Sequence, residues 1–224
     1  MSKRVLLIQG HPDPAGGHYC HALAQAYADG ARAGDHEVRT VDVAQLDFPL
    51  LRSPRAWNDE PVPPALAPAQ DAILWANHLV FFFPLWMGGM PALLRGFLEQ
   101  VARPSFALGK EGENPLEAKL LKGRSARVVV TMGMPAAVYR YYFRAHSIKA
   151  LERNILGFVG IAPVHETLIG MVEGDPAARE RWLARLRRLD PGLRVSNLGE
   201  LGPTRRPGDL ARWAEGLRKA GLPD

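Results

Sequence analysis

The sequence predicts an α/β fold: a doubly wound, five-stranded parallel sheet in the order 2-1-3-4-5, with helices on both faces. Three observations predict it. Short apolar runs alternate five times with stretches of helical periodicity, the mark of successive β–α units. Glycine and proline gather between those segments, where turns need them. Finally, His78–Val101 reads as strand, turn and helix in one piece. Its apolar run Leu79–Phe83 stops at Pro84, passes through Leu85-Trp86-Met87-Gly88-Gly89 and restarts at Pro91. Leu93, Leu94, Phe97, Leu98 and Val101 then share one helical face, with Pro91 suited to a first turn.

Taken in order, Val5–Ile8 is a buried first strand, and Gly10–Gly17 a loop. Tyr19, Ala22, Leu23, Ala26 and Tyr27 mark a helix that reaches about Ala33. Gly34-Asp35 turns the chain into a short second strand, Glu37–Val41. A long proline-containing connection, Asp42–Pro64, leads to a helix over Pro68–Ala76 and the third strand, Leu79–Phe83. After the helix that ends near Val101, Arg103–Arg124 is a loop rich in Gly, Pro and charge. Arg127–Thr131 is the fourth strand, broken by Gly133-Met134-Pro135. A helix follows with Ile148, Leu151, Ile155 and Phe158 on one side, then a fifth strand, Val164–Ile169, and a helix over Ala177–Leu189.

With 224 residues, 47% hydrophobic and 23% charged, the chain suits one domain, with residues 191–224 as a C-terminal extension. That extension holds one more amphipathic piece, built on Leu210, Trp213 and Leu217. The lone cysteine, Cys20, excludes an intrachain disulfide and a multi-cysteine metal site, and fits a cytoplasmic home. The net charge of +5 is spread over helix faces, as in Arg179, Arg181, Arg185, Arg187 and Arg188, so no nucleic-acid surface is expected. Ala72–Leu94 lacks formal charge, but Asn77, Pro84, Gly88, Gly89 and Pro91 interrupt it, so it predicts no membrane span. The short apolar run after Arg4 does not make a secretory signal.

In an open parallel sheet, ligands bind at the carboxyl ends of strands, so the loops after strands one, three and four carry the chemistry. The first, GHPDPAGGHYCH, enters a helix whose free amides favour an anion. Gly16 and Gly17 allow close backbone approach, and His11 and His18 offer donors. It is neither a Walker loop nor a GxGxxG fingerprint, and its histidines lack the partners that complete a metal site. The second loop sets Trp86 and Met87 before two glycines, suited to a flat hydrophobic ring such as a flavin. In the third, TMGMPAAVY, Thr131, Gly133 and adjacent amides can bond the polar edge of a ring system. Tyr139 and His146 lie seven residues apart, roughly two helical turns, so one helix can bring both to one cavity. As an imidazole, a side-chain type that ordinarily changes charge near neutral pH, His146 is a candidate to supply or stabilise a proton.

Through VLLIQGHPDP, FFFPLWMGGMPALLRGFLEQV and VVVTMGMPAAVY with the later His146, the chain resembles the flavodoxin-like NAD(P)H:quinone oxidoreductases. That group holds the DT-diaphorases, the modulator-of-drug-activity-B proteins and the flavoprotein ancillary subunits of potassium efflux systems. The resemblance covers about Arg4–Gly170, and the middle motif is the specific one. It implies that His11, Gly17, His18 and Tyr19 hold the flavin's phosphate end. Pro84, Leu85, Trp86 and Met87 cup the ring, and Thr131, Gly133 and Met134 reach its polar edge. Tyr139 and His146 correspond to a Tyr and a His that assist hydride transfer in the animal enzymes. Two departures stand out. Gly17-His18-Tyr19 replaces the family's usual Ser-Phe/Leu-Asn, and the Tyr-to-His spacing is one residue longer than in the animal enzymes.

The function implied is hydride transfer from NAD(P)H through bound flavin to a quinone or similar acceptor, by a ping-pong mechanism. The alternative is a regulatory flavoprotein subunit of a membrane transporter. The long segments Asp42–Pro64 and Arg103–Arg124 lean the cofactor toward FAD, with FMN also open. The resemblance further implies a homodimer, with Trp86, Tyr141, Tyr142 and Phe143 suited to its seam.

Overall fold

A computed structural model describes residues 2–109 and 119–189. Its sheet has five strands, all parallel, in the order β2-β1-β3-β4-β5: β1 (Arg4–Gln9), β2 (Glu37–Asp42), β3 (His78–Pro84), β4 (Ser125–Thr131) and β5 (Val164–Ile169). This is the predicted order. The helices are α1 (Tyr19–Ala33), α2 (Pro54–Asn58), α3 (Ala67–Trp75), α4 (Ala92–Val101), α5 (His146–Ala150), α6 (Gly157–Val159) and α7 (Pro176–Arg187). The C-terminal piece around Leu210, Trp213 and Leu217 lies outside the described residues.

The sheet is buried on both sides, which is why its central strands read as unbroken apolar runs. Leu6, Ile8, Leu79, Phe81, Phe83, Val128 and Val130 face a core completed by Ile73, Leu94, Phe97, Val101, Ile148 and Leu151. The other face, with Val80, Phe82 and Val129, lies under α1; Tyr27 packs edge-on against Phe82 at 6.1 Å between ring centroids. Burying each large side chain such as Phe81 or Phe82 contributes about 1.5–3 kcal/mol.

Two sequence expectations change. Pro91 caps α4 from outside rather than opening its first turn, because its ψ of 144° is extended. The helix expected to bury Ile148, Leu151, Ile155 and Phe158 buries the first two, then Leu156 and Val159 instead. Leu151–Leu156 is wound as a π-helix, and the wider turn rotates the buried face by one position. Phe158 is left exposed.

Beneath the amino-terminal ends of the strands lies a buried polar group that the sequence did not disclose. Arg127 is fully buried and its Nη1 donates to Thr167 Oγ1 at 3.0 Å. His78 contacts Ser125 Oγ through Nδ1 at 2.8 Å and Tyr27 Oη through Nε2 at 3.4 Å. Burial first, and then the Arg127 charge, push His78 down to about 3. The native state therefore resists taking a proton that the unfolded chain accepts near its ordinary value of 6.5. The sign follows: stability rises with pH across that interval and is lost as pH falls from 6.5 toward 3. Urea midpoints measured from pH 7.5 down to 4.5 should fall, and His78→Gln should shallow that slope; an unchanged slope would place the acid sensitivity elsewhere.

Helix α1 meets α7 at its least bulky point. A Cβ added at Gly30 would stand 2.0 Å from the Arg187 carbonyl oxygen, a backbone atom that cannot swing aside. Gly30→Ala raises helix propensity by up to about 1 kcal/mol, yet overpacking of this kind costs typically about 1–3 kcal/mol. The expected result is a lower urea midpoint. A higher one would mean that α7 shifts freely.

Candidate functional site

Parallel pairing sets the carboxyl ends of β1, β3 and β4 side by side: Gln9 stands against Phe82, and Pro84 against Thr131. The loops leaving those ends meet there. Leu85 N donates to Thr131 O at 2.8 Å, and Gly10 N to Phe82 O at 2.7 Å.

The first loop is tied down by its own side chains. Asp13 Oδ1 accepts from Ala15 N at 2.9 Å, and Gln45 reaches from beyond β2 to Pro14 O at 2.7 Å. Gly16 and Gly17 have φ of +69° and +75°, which side-chain-bearing residues rarely adopt. His18 is the N-cap of α1 but offers it no side-chain bond, so the helix start remains open to an acceptor. Instead the His18 Nε2 lies 2.6 Å from Asp13 Oδ2, and that contact holds the Asp13 carboxyl below its usual range.

Three imidazoles gather here. His11 stacks on His18 with centroids 3.9 Å apart, and His21 lies 5.5 Å from His11 and 5.8 Å from His18. His11 is only 8% exposed; burial, then His18 and His21, push it down to about 4, so it is neutral at pH 7. Its Nδ1 accepts from Asp13 N at 3.2 Å, which leaves the proton of the neutral ring on Nε2. Gln9, buried at the strand end, accepts from His11 N through Oε1 at 3.1 Å, while its Nε2 has no partner. Both ring nitrogens of His21 are likewise buried without partners. Unpartnered buried donors cost stability and mark a place built for something else.

The second loop is a tight turn. Trp86 and Gly89 exchange two backbone bonds of 2.9 Å, with Met87 and Gly88 at φ of +48° and +75° between them. Positive φ at both central residues is the two-residue turn of primed type, in which glycine is at ease and Met87 is strained. The result thrusts apolar groups outward: Trp86 is 51% exposed and Met87 wholly so, with Pro84 and Leu85 half-buried below. Trp86 meets His11 edge-on at 6.0 Å.

The third loop packs backbone to backbone on Gly170, where a Cβ would come 2.4 Å from Ala136 N and 2.6 Å from Met134 O. Gly133 is exposed and Met134 half-buried. Thr131 is buried, its Oγ1 3.1 Å from the Cys20 sulfur. Burial pushes the Cys20 thiol up to about 11, which removes it as a nucleophile.

Tyr19, Tyr139 and His146 depart from simple expectation. The Tyr19 hydroxyl donates to Arg179 O at 3.0 Å, so its side chain serves the contact with α7 and only its backbone faces the loop. Tyr139 and His146 do not share one helix. Val138–Tyr142 is a π turn, and the chain then passes through left-handed Arg144 and Ala145 before α5 begins at His146. Tyr139 is buried and donates to Gly88 O at 3.4 Å, and burial holds its phenol above the ordinary value; His146 is exposed. The residues that sequence reasoning missed are Gln9, Asp13 and His21. A polar residue closing the apolar run of β1, and a third histidine one helical turn after His18, were the available signals. Among the described residues, no group of three His, Cys, Asp or Glu side chains could hold a metal ion.

A family model described as "Flavodoxin-like fold", Flavodoxin_2, matches residues 3–189. An NAD(P)H oxidoreductase of Haemophilus influenzae is 26% identical over 169 residues, 74% of this chain and 82% of its own. An FMN-dependent NADH:quinone oxidoreductase of Ruegeria pomeroyi is 28% identical over 150 residues, 57% and 70% of the two chains. Among solved structures, the NAD(P)H:quinone oxidoreductase of Methanothermobacter marburgensis superposes with a TM-score of 0.69 at 23% identity, covering 84% of this chain and 95% of that one.

The Tyr139 phenol ties the turn to the segment behind it. Tyr139→Phe takes that donor from the Gly88 carbonyl, which lies in an exposed turn where water can replace it, so the cost is at most about 0.5–1.5 kcal/mol. Faster hydrogen exchange at the Trp86 and Gly89 amides is expected; unchanged exchange would show that the phenol holds nothing.

Proposed function

Because the chain belongs to the Flavodoxin_2 family, of flavodoxin-like fold, we propose that it is a flavin-dependent NAD(P)H:quinone oxidoreductase. One observation carries the reading. The loops after β1, β3 and β4 converge on a single place where an outward-facing Trp86–Met87 turn stands beside a histidine-lined helix start. An apolar platform next to an anion seat matches a molecule with a flat ring at one end and a phosphate at the other.

The residues present fit such a group. Gln9 Nε2 and the two His21 nitrogens are buried donors or acceptors still without partners, and His11 has Nε2–H to give. In this reading His11, Gly17, His18 and the Tyr19 amide hold the phosphate end. Pro84, Leu85, Trp86 and Met87 lie against the ring, and Thr131, Gly133 and Met134 offer backbone groups to its polar edge. When bound, the flavin supplies two-electron chemistry between a nicotinamide and a quinone. The chain's own part is to orient both partners, exclude water and manage protons. Tyr139, whose phenol burial keeps protonated, sits behind the turn as a donor. His146 stands exposed at the start of α5, where it can exchange a proton with an acceptor entering from solvent.

FMN is the cofactor we propose. The sequence leaned toward FAD, whereas the relative from Ruegeria is by name FMN-dependent. Tyr141, Tyr142 and Phe143, all exposed beside the site, support a homodimer whose seam covers them. Among the described residues no helix is long and apolar enough to cross a membrane, and a cytoplasmic protein is proposed, a single domain with residues 191–224 as its extension.

The visible spectrum of the purified protein tests the reading. Flavin bands that bleach on NAD(P)H and return with a quinone are expected, and denaturation should release a chromophore with the mass of FMN. A protein that stays colourless after incubation with FMN or FAD would remove the assignment.

A further inference from the structure

The three-histidine cluster has a property that a plain anion seat lacks, and it rests on the flavin reading above. His11, His18 and His21 lie within 6 Å of one another, centroid to centroid. One carboxylate, Asp13, is in contact, and it is already engaged by His18. The other groups around them are neutral or committed. From α1, Cys20 is a buried thiol against Thr131. From β2, Asp42, beside Gln9 in the register, accepts from Ala44 N. From α7, Arg179 spends its Nη1 on the Val172 and Gly174 carbonyls. The turn at Trp86–Gly89 brings no titratable side chain.

Placing a positive charge on His11 is opposed by burial and by the neighbouring His18 and His21. A phosphate dianion set among them reverses that balance, since an opposite charge within about 4–6 Å favours the charged form. We propose that the His11–His18–His21 cluster takes up a proton from solvent as it binds the phosphomonoester of the cofactor, so that retention of the flavin is coupled to pH.

The direction follows from linkage. Without the phosphate, His11 is neutral at pH 7; with it bound, the cluster carries a further proton that it loses only at higher pH. Affinity is therefore greatest on the acid side and falls as pH rises through the value of the bound cluster. For one proton the fall is about tenfold in Kd per pH unit over that interval.

Two probes separate the possibilities: FMN and riboflavin, which lacks the phosphate. Binding to the flavin-free protein is followed by quenching of flavin fluorescence from pH 7 to 9, where the FMN phosphate, with a second pKa of about 6, is already a dianion. Calorimetry of FMN binding in two buffers of different ionisation enthalpy counts the protons taken up. The expected result is a rising Kd and uptake of about one proton for FMN, neither for riboflavin, and loss of both effects in His18→Asn with His21→Asn. FMN binding without proton uptake, and with the same pH profile as riboflavin, would overturn the proposal while leaving the flavin reading intact. Failure of both flavins to bind would overturn both. The calorimetric count needs only the unsubstituted protein, so the proposal stays testable if a variant misfolds.

Discussion

The parallel register of β1, β3 and β4 is the constraint on which the rest depends. It brings three strand ends to one level, Gln9 against Phe82 and Pro84 against Thr131. Everything assigned to the site is a loop hung from those ends. Because side chains alternate across a strand, a slip of one residue would turn Gln9 and Thr131 from the α1 face to the other face of the sheet. Such slippage is opposed by the double-sided burial of β3, whose Leu79–Phe83 run has no polar face to accept exposure.

Apolar and polar burial do different work in this molecule. The hydrophobic layers fix where the loops start, while polar groups fix how they end. Gln9 reads the His11 amide, Asp13 gathers Ala15 and His18, and Tyr139 reaches back to Gly88. At the opposite end of the sheet, Arg127, His78, Ser125 and Thr167 form a second polar layer under α1. That layer has the opposite chemistry to the cluster at the site. It keeps His78 buried and uncharged, whereas at the site His18 stands part-exposed at the helix start.

The fold was legible because its signals are local and repeated. Apolar runs bounded by Gly and Pro place all five strands within a residue or two. The three ligand-facing loops followed from the strand order, and the tight turn at Trp86–Gly89 from its two glycines. What could not be read is what depends on winding or on contacts across the chain. Periodicity assumes the α-helix, so the π turns at Val138–Tyr142 and Leu151–Leu156 displaced Phe158 from the core and separated Tyr139 from His146. Pairings such as Tyr19 with Arg179 span more than a hundred positions and leave no trace in spacing. The third histidine of the cluster was visible, but its proximity to His11 across the loop was not.

The π turn at Val138–Tyr142 closes with Phe143 N on Val138 O at 3.2 Å, five residues on rather than four. Such a ring holds one residue more than the α-helical ring it replaces. In an α-helix, one added residue rotates everything beyond it by about 100°, which would carry the following segment out of the core. A locally widened ring absorbs the same addition where it occurs, and Ile148 and Leu151 remain buried. Variation in length at this point is a change that the architecture can accommodate without re-registering its neighbours.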